Sequence, residues 1–415
     1  MKKLFTHIQS LLVVEAEPAK WVAGPDMATL PILHDAWLLT DNDLISAFGT
    51  MNDCPTEADE IIDCTGKIVL PAWCDSHTHL VYAGSREGEF EDKINGLSYE
   101  EIAERGGGIL NSAALLRSTS EDELYAQSAR RMKELMTMGT GAVEIKSGYG
   151  LSTESELKML RVAKRLKANF PMEVKTTFLG AHAFPAEYRE NREAYVDLVI
   201  NEMIPAVAEE KLADYIDVFC DRGFFTPDQT ERILAKGAEY GMQPKIHANE
   251  LDFSGGIQAG VKHQARSVDH LECTGDDEID ALLSSDTMAT LLPGTAFFLG
   301  IEYPPARKMI SAGLPVALAS DYNPGSSPSG NMPFILSLSC IKMKMLPEEA
   351  IQAATLNGAY AMGLEKTHGS IAVGKKANLL ITKNVSSYSF LPYAYGTQWV
   401  GATYVNGECV YNDLD

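Results

Sequence analysis

Residues 68–86 read IVLPAWCDSHTHLVYAGSR, an apolar run that stops at Asp75-Ser76-His77-Thr78-His79 and reaches Arg86 seven residues later. In a strand, residues i and i+2 share a face. His77 and His79 therefore stand side by side at the end of a segment composed for burial, and what they do depends on the strands beside them.

Seven further stretches have the same texture: GAVEIK (141–146), EVKTTFLGAH (173–182), YIDVFCD (215–221), QPKIHANE (243–250), SVDHLE (267–272), TMATLLP (287–293) and PVALASD (315–321). Between most of them lie amphipathic segments of helical length, such as EDELYAQSARRMKELMTM, ESELKMLRVAKRLKAN and PDQTERILAKGAEY. Eight strands alternating with helices over roughly 250 residues predict a (β/α)8 TIM-type barrel, in which active sites gather where the strands end. Residues 67–364 are assigned to it. The flanking runs LLVV, AWLLTDNDLISAFG and EIIDCTGKI before the barrel, and NLLITKN and WVGATYVNGECVYN after it, are β-like. Residues 1–66 and 365–415 are therefore expected to join into one small β domain. RGGGIL (105–110) reads as a loop rather than a nucleotide site.

The strand ends carry the chemistry. The fifth finishes in His247-Ala-Asn-Glu250, the sixth in Asp269-His270-Leu-Glu272 and the eighth in Ser320-Asp321-Tyr-Asn323. Isolated structural histidines have no reason to gather on one rim. His77, His79, His247 and Asp321 offer three imidazole nitrogens and one carboxylate, a set suited to one Zn²⁺ or Fe²⁺ with a position left for water. Such an ion brings the pKa of a bound water toward neutrality, which points to hydrolysis. Glu250, His270 and Asp321 are the candidates for moving protons. Arg86, Tyr149 in the glycine-flanked EIKSGYGLS turn and His182 in LGAHAFP can together hold a carboxylate. The loop NPGSSPSGN after Asp321 offers backbone amides and hydroxyls to a ligand. His7, His34, His263 and His368 lie off the strand ends and read as surface or satisfied histidines.

Composition narrows the partners. A formal net charge of −22 repels nucleic acid and anionic membrane, so an anionic ligand needs a local cationic clamp. The seven cysteines form no CxxC pair, which fits a reducing cytoplasm. No apolar run approaches the length of a membrane span, and the N-terminus reads as a strand.

The HxH after PAWCD, the histidines of strands five and six and the aspartate of strand eight resemble the amidohydrolase superfamily, metal-dependent hydrolases on a (β/α)8 barrel with a composite β-sandwich. Within it, HTHLVYAGSREGEF, EIKSGYGL, FLGAHAFPAEY, HANEL, VDHLE and SDYNPGSSP are similar to the branch that hydrolyses 4-imidazolone-5-propanoate to N-formimino-L-glutamate in histidine degradation. The resemblance implies metal binding by His77, His79, His247 and Asp321, and substrate contacts from Arg86, Tyr149, His182, Glu250, Asn323, Gly325 and Ser326. It also implies a homodimer. The fourth strand lacks the lysine that, once carboxylated, bridges two metals in other members, so a single ion is expected. The alternatives are a guanine or cytosine deaminase of the same superfamily, which needs no carboxylate clamp, and a non-catalytic scaffold, which would have lost metal ligands.

Overall fold

The chain crosses between two sheets inside the stretch quoted above. The computed structural model describes residues 1–97 and 107–414, so Arg105 and Gly106 of RGGGIL lie outside the described residues. One sheet combines β1 (Lys2–Leu12), β2 (Ile32–Asp41), β3 (Leu44–Thr50), β4 (Glu60–Asp63) and β5 (Ile68–Pro71) with β15 (Leu379–Thr382), β16 (Val400–Val405) and β17 (Glu408–Asn412). Its order is β17-β16-β15-β5-β1-β2-β3, with β4 beside β1. Phe5, Ile8, Leu11, Leu38, Leu379 and Tyr404 give this sheet a core of its own.

The second sheet is the barrel. It runs β6 (Trp73–Thr78), β7 (Thr140–Lys146), β8 (Glu173–Ala181), β9 (Tyr215–Cys220), β11 (Ile246–Ala248), β12 (Ser267–His270), β13 (Met288–Leu291) and β14 (Val316–Leu318). Each is parallel to its neighbour. The short β10 (Gln243–Pro244), on β9, is the lower half of the fifth strand. Eight strands predicted from texture thus appear in the predicted order. Beyond β14 the ring is drawn shut: Asp321 N donates to His77 O at 3.0 Å and His79 N to Tyr322 O at 2.9 Å. The Asp75 carboxylate accepts from Ser320 N at 2.9 Å and Ser320 Oγ at 2.6 Å.

One boundary differs from expectation. Ile68–Pro71 does not begin the barrel but pairs with β1 and β15 in the other sheet, so the crossing falls at Ala72 rather than at 66/67. Both segments are buried throughout, and a run enclosed on both faces shows no change of texture where it changes sheets.

The helices form where local chemistry starts them. Ser120 caps Glu121–Thr137 by accepting from Glu123 N, and the i, i+4 spacing of Leu124, Ser128, Met132 and Met136 lays one face on the barrel. Each of its larger apolar side chains contributes about 1.5–3 kcal/mol by leaving water. Thr226 and Gln229 form a capping box ahead of Pro227–Glu239. The helix Leu356–Ala361 lies so close on β6 that a Cβ at Gly358 would sit 2.5 Å from the Cys74 carbonyl oxygen. Among the described residues no helix is long and apolar enough to cross a membrane.

Candidate active site

His77 and His79 leave β6 pointing into the barrel mouth, where β11 delivers His247, β12 His270 and the turn after β14 Asp321. All five are almost fully buried. His247 Nε2 lies 3.3 Å from His79 Nε2, and Asp321 Oδ1 lies 3.5 Å from His77 Nε2 and 3.6 Å from His79 Nε2. Tetrahedral coordination with bonds of about 2.0–2.1 Å separates ligand atoms by roughly 3.3–3.4 Å. The spacing therefore fits a metal ion, as does His77 Nε2, a buried nitrogen without a hydrogen-bond partner among the described residues. The donor atoms of His77, His79 and His247 form one cluster within 4.8 Å, and those of His77, His270 and Asp321 form a second. Burial, reinforced by Lys146 near His77 and by His182 and His247 near His79, holds both rings well below the usual imidazole range. Both are then neutral donors.

Residues that the sequence reading missed orient these donors. His77 Nδ1 lies 2.7 Å from Asp269 Oδ2, and His247 Nδ1 3.0 Å from Asp217 Oδ2. Lys146 Nζ sits 2.8 Å from Asp217 and 3.5 Å from Asp269, and donates to Glu144 at 2.7 Å; Lys245 also reaches Glu144. None of these five side chains touches solvent. Burial alone would raise the Asp217 carboxyl, but His247 and Lys146 outweigh it and hold the carboxyl far below its ordinary value. Charged residues in strands enclosed on all sides were the available signal, because each needs a buried partner. Asp321 is held from the other side by Thr295 Oγ1, which donates to its Oδ2.

A cavity of about 380 Å³ opens beside the cluster. Every residue predicted to touch substrate lines it: Arg86, Tyr149, His182, Glu250, Asn323, Gly325 and Ser326. Phe219, Phe224, Ile109, Leu251 and Leu299 add an apolar wall that the sequence did not single out. His182 Nδ1 is 3.1 Å from Gly148 O, which fixes that nitrogen as the donor and leaves Nε2 free to accept. Burial pushes its pKa down to about 3. His270 lies 3.7 Å from Glu250 and 3.8 Å from Glu272. Burial opposes its charged form, yet Glu250 and Glu272 prevail and raise it to about 10. Burial pushes Glu250 up to about 7, with Glu272 and Asp321 adding to the shift against His270.

Two turns are tied up by their own side chains, the second of them contrary to expectation. The amides of Gly148, Gly150 and Leu151 donate to the buried Glu156 carboxylate at 2.9, 2.7 and 2.9 Å rather than facing a ligand. The amides of Gly325 and Ser326 likewise donate to Asn323 Oδ1, both at 2.8 Å. In each case a nearby side-chain oxygen satisfies the turn first. Asp321, His270, Leu271 and Asn249, all at strand exits around the cavity, adopt positive φ of 53°, 86°, 72° and 56°. Such backbone concentrates at functional sites. The four other histidines lie elsewhere, with His34 against Ser10 and His368 against Thr367.

The sequence profile described as the Amidohydrolase family matches residues 68–410. The chain is 58% identical over 411 residues to the imidazolonepropionase of Christiangramia forsetii, covering 99% of this chain and 100% of the relative. It is 43% identical over 421 residues to that of Geobacillus kaustophilus, covering 100% and 99%. Among solved structures, atrazine chlorohydrolase from Arthrobacter aurescens complexed with zinc superposes with a TM-score of 0.73 at 15% identity, covering 99% of this chain and 95% of that one. An adenosine deaminase from Xanthomonas campestris with bound zinc gives 0.71 at 15% identity, covering 98% and 92%. At that identity the likeness is one of fold.

Proposed function

Because the chain belongs to the amidohydrolase family, and within it to the imidazolonepropionases, we propose that its cavity hydrolyses the cyclic amide C–N bond of 4-imidazolone-5-propanoate to give N-formimino-L-glutamate. The observation that carries this reading is the convergence of three imidazole nitrogens and Asp321 Oδ1 in a cavity that also holds Arg86. A single Zn²⁺ or Fe²⁺ bound by His77, His79, His247 and Asp321 would supply Lewis acidity to a water and to the ring carbonyl.

The chain's own groups do the rest. Arg86 pairs with the propanoate, while Tyr149 and the free Nε2 of His182 hold the ring. His270 orients the water and the carbonyl. Water oxygen bonds to the carbonyl carbon as Asp321 takes one of its protons. The ring C–N bond then breaks, and Glu250 or Asp321 gives a proton to the departing nitrogen. Phe219 and Phe224 exclude bulk water from that step. Lys146, already held by Glu144 and Asp217, is not free to be carboxylated, in keeping with one ion.

We further infer a homodimer of the cytoplasm that binds no nucleic acid, in which the barrel carries the chemistry and the terminal sheet braces it. The test is loss of imidazolone absorbance on adding fresh substrate to metal-analysed protein. Turnover should vanish on chelation and return with Zn²⁺ or Fe²⁺, and Arg86→Ala should raise KM far more than it lowers kcat. Turnover that survives complete removal of metal would sink the mechanism. A deaminase would instead release ammonia from a purine or pyrimidine, and light scattering decides the dimer.

A further inference from the structure

Arg86 is itself held in place. Its Nε and Nη2 both donate to Glu89 Oε2, at 2.8 and 2.5 Å, and the two side chains are only 14% and 12% exposed. The second oxygen of that carboxylate, Oε1, accepts from Gly108 N at 2.9 Å, immediately before the helix Ile109–Ser118, whose first residue lines the cavity. On the far side the guanidinium lies against Gly325, where a Cβ would fall 2.1 Å from Nη1. The group is thus wedged between a carboxylate and a bare backbone.

A guanidinium has five N–H donors in a rigid plane. Glu89 occupies two of them, on the Nε–Nη2 edge. Among the described residues no other group takes the remaining three: one on Nη2 and one on Nη1 form the terminal edge beside Gly325, and the second on Nη1 points back along the side chain. That edge suits a carboxylate bound end-on across two nitrogens.

We propose that Glu89 is the positioning residue for Arg86: by occupying the Nε edge it turns the Nη1–Nη2 edge toward the cavity and so determines recognition of the substrate's carboxylate. This rests on the reaction proposed above. Glu89 does not line the cavity, so its removal acts on binding of the anionic tail and leaves the ring chemistry alone. Gly325 has the matching part, since any side chain there would push the guanidinium off this edge.

The test compares 4-imidazolone-5-propanoate with its neutral propanamide analogue. Glu89→Ala should raise KM for the propanoate by roughly ten- to hundredfold, the loss of a charge-assisted hydrogen bond, with kcat within about threefold of the parent, and leave KM for the propanamide unchanged. Glu89→Gln keeps the size but leaves one acceptor oxygen for Arg86 and Gly108 together, and should raise the propanoate KM with the same selectivity, so it decides the matter if the alanine variant folds poorly. An unchanged propanoate KM in both variants overturns the inference, as does an equal rise for both substrates, which would mark Glu89 as merely structural. No turnover by the unaltered chain overturns the reaction itself. Turnover that is sensitive to Arg86→Ala but indifferent to Glu89 overturns this inference alone.

Discussion

Lys146 has no contact with water, yet it touches both carboxylates that orient the metal-facing histidines. Lys245 is equally buried, but among the described residues its hydrogen bonds go to Glu144 and Ser76 O, and it touches neither of those carboxylates. Loss of either cation strands buried negative charge, which costs about 3–5 kcal/mol. Only Lys146→Met should also weaken metal binding strongly, by roughly 10- to 100-fold. Competition with a chromogenic chelator measures this, and equal losses in Lys146→Met and Lys245→Met would disprove it. Glu250 allows a second prediction. Its folded pKa of about 7 lies above its ordinary 4.5. The stability linked to its proton is complete below about pH 4.5 and is lost as pH rises through 7. The metal-free Glu250→Gln variant should therefore lose less stability than the metal-free parent as pH rises from 5 to 8, so that the difference between their melts shifts in its favour across that range. A constant difference across that range would contradict the shift.

At the scale of elements, the turn after β7 shows why some of the site was legible and some was not. Tyr149 stood out because glycines flank it at a strand end, and it does line the cavity. Its anchor, Glu156, comes from the helix Thr153–Asn169 and gathers three amides. On a sequence it looks like any first-turn glutamate. Glu156→Gln leaves one acceptor oxygen where there were two, so at least one amide loses its partner. Stability should fall by about 1–3 kcal/mol, and KM for the substrate should rise several-fold as Tyr149 loosens. Thermal melts and initial rates test both, and a variant indistinguishable from the parent would show that Arg117, bonded to Gly150 O and Leu151 O, holds the turn alone. Residues at strand ends could be read because the period of a strand fixes their direction. Those in strand interiors or on helices could not, because their partners come from other strands.

Across the whole molecule, eight strands and their order were readable because alternation of strand and helix leaves few topologies. The sheet crossing at Ala72 was not, since it occurs within one continuous apolar run. Metal should bind the native barrel and not the unfolded chain, whose ligands are scattered from His77 to Asp321. Chelation should then lower Tm, and at a thousandfold excess of ion over Kd the difference amounts to about 4 kcal/mol. Calorimetry with and without chelator checks this; coincident melts would argue against a site built by folding.

The same crossing sets an order on biosynthesis. β5 continues through Ala72 into the strand that ends at His77 and His79, and β5 lies between β1 and β15. Its second neighbour, Leu379–Thr382, is translated only near the end of the chain. The strand that leads into His77 and His79 thus has one sheet neighbour made before it and the other made about three hundred residues after it.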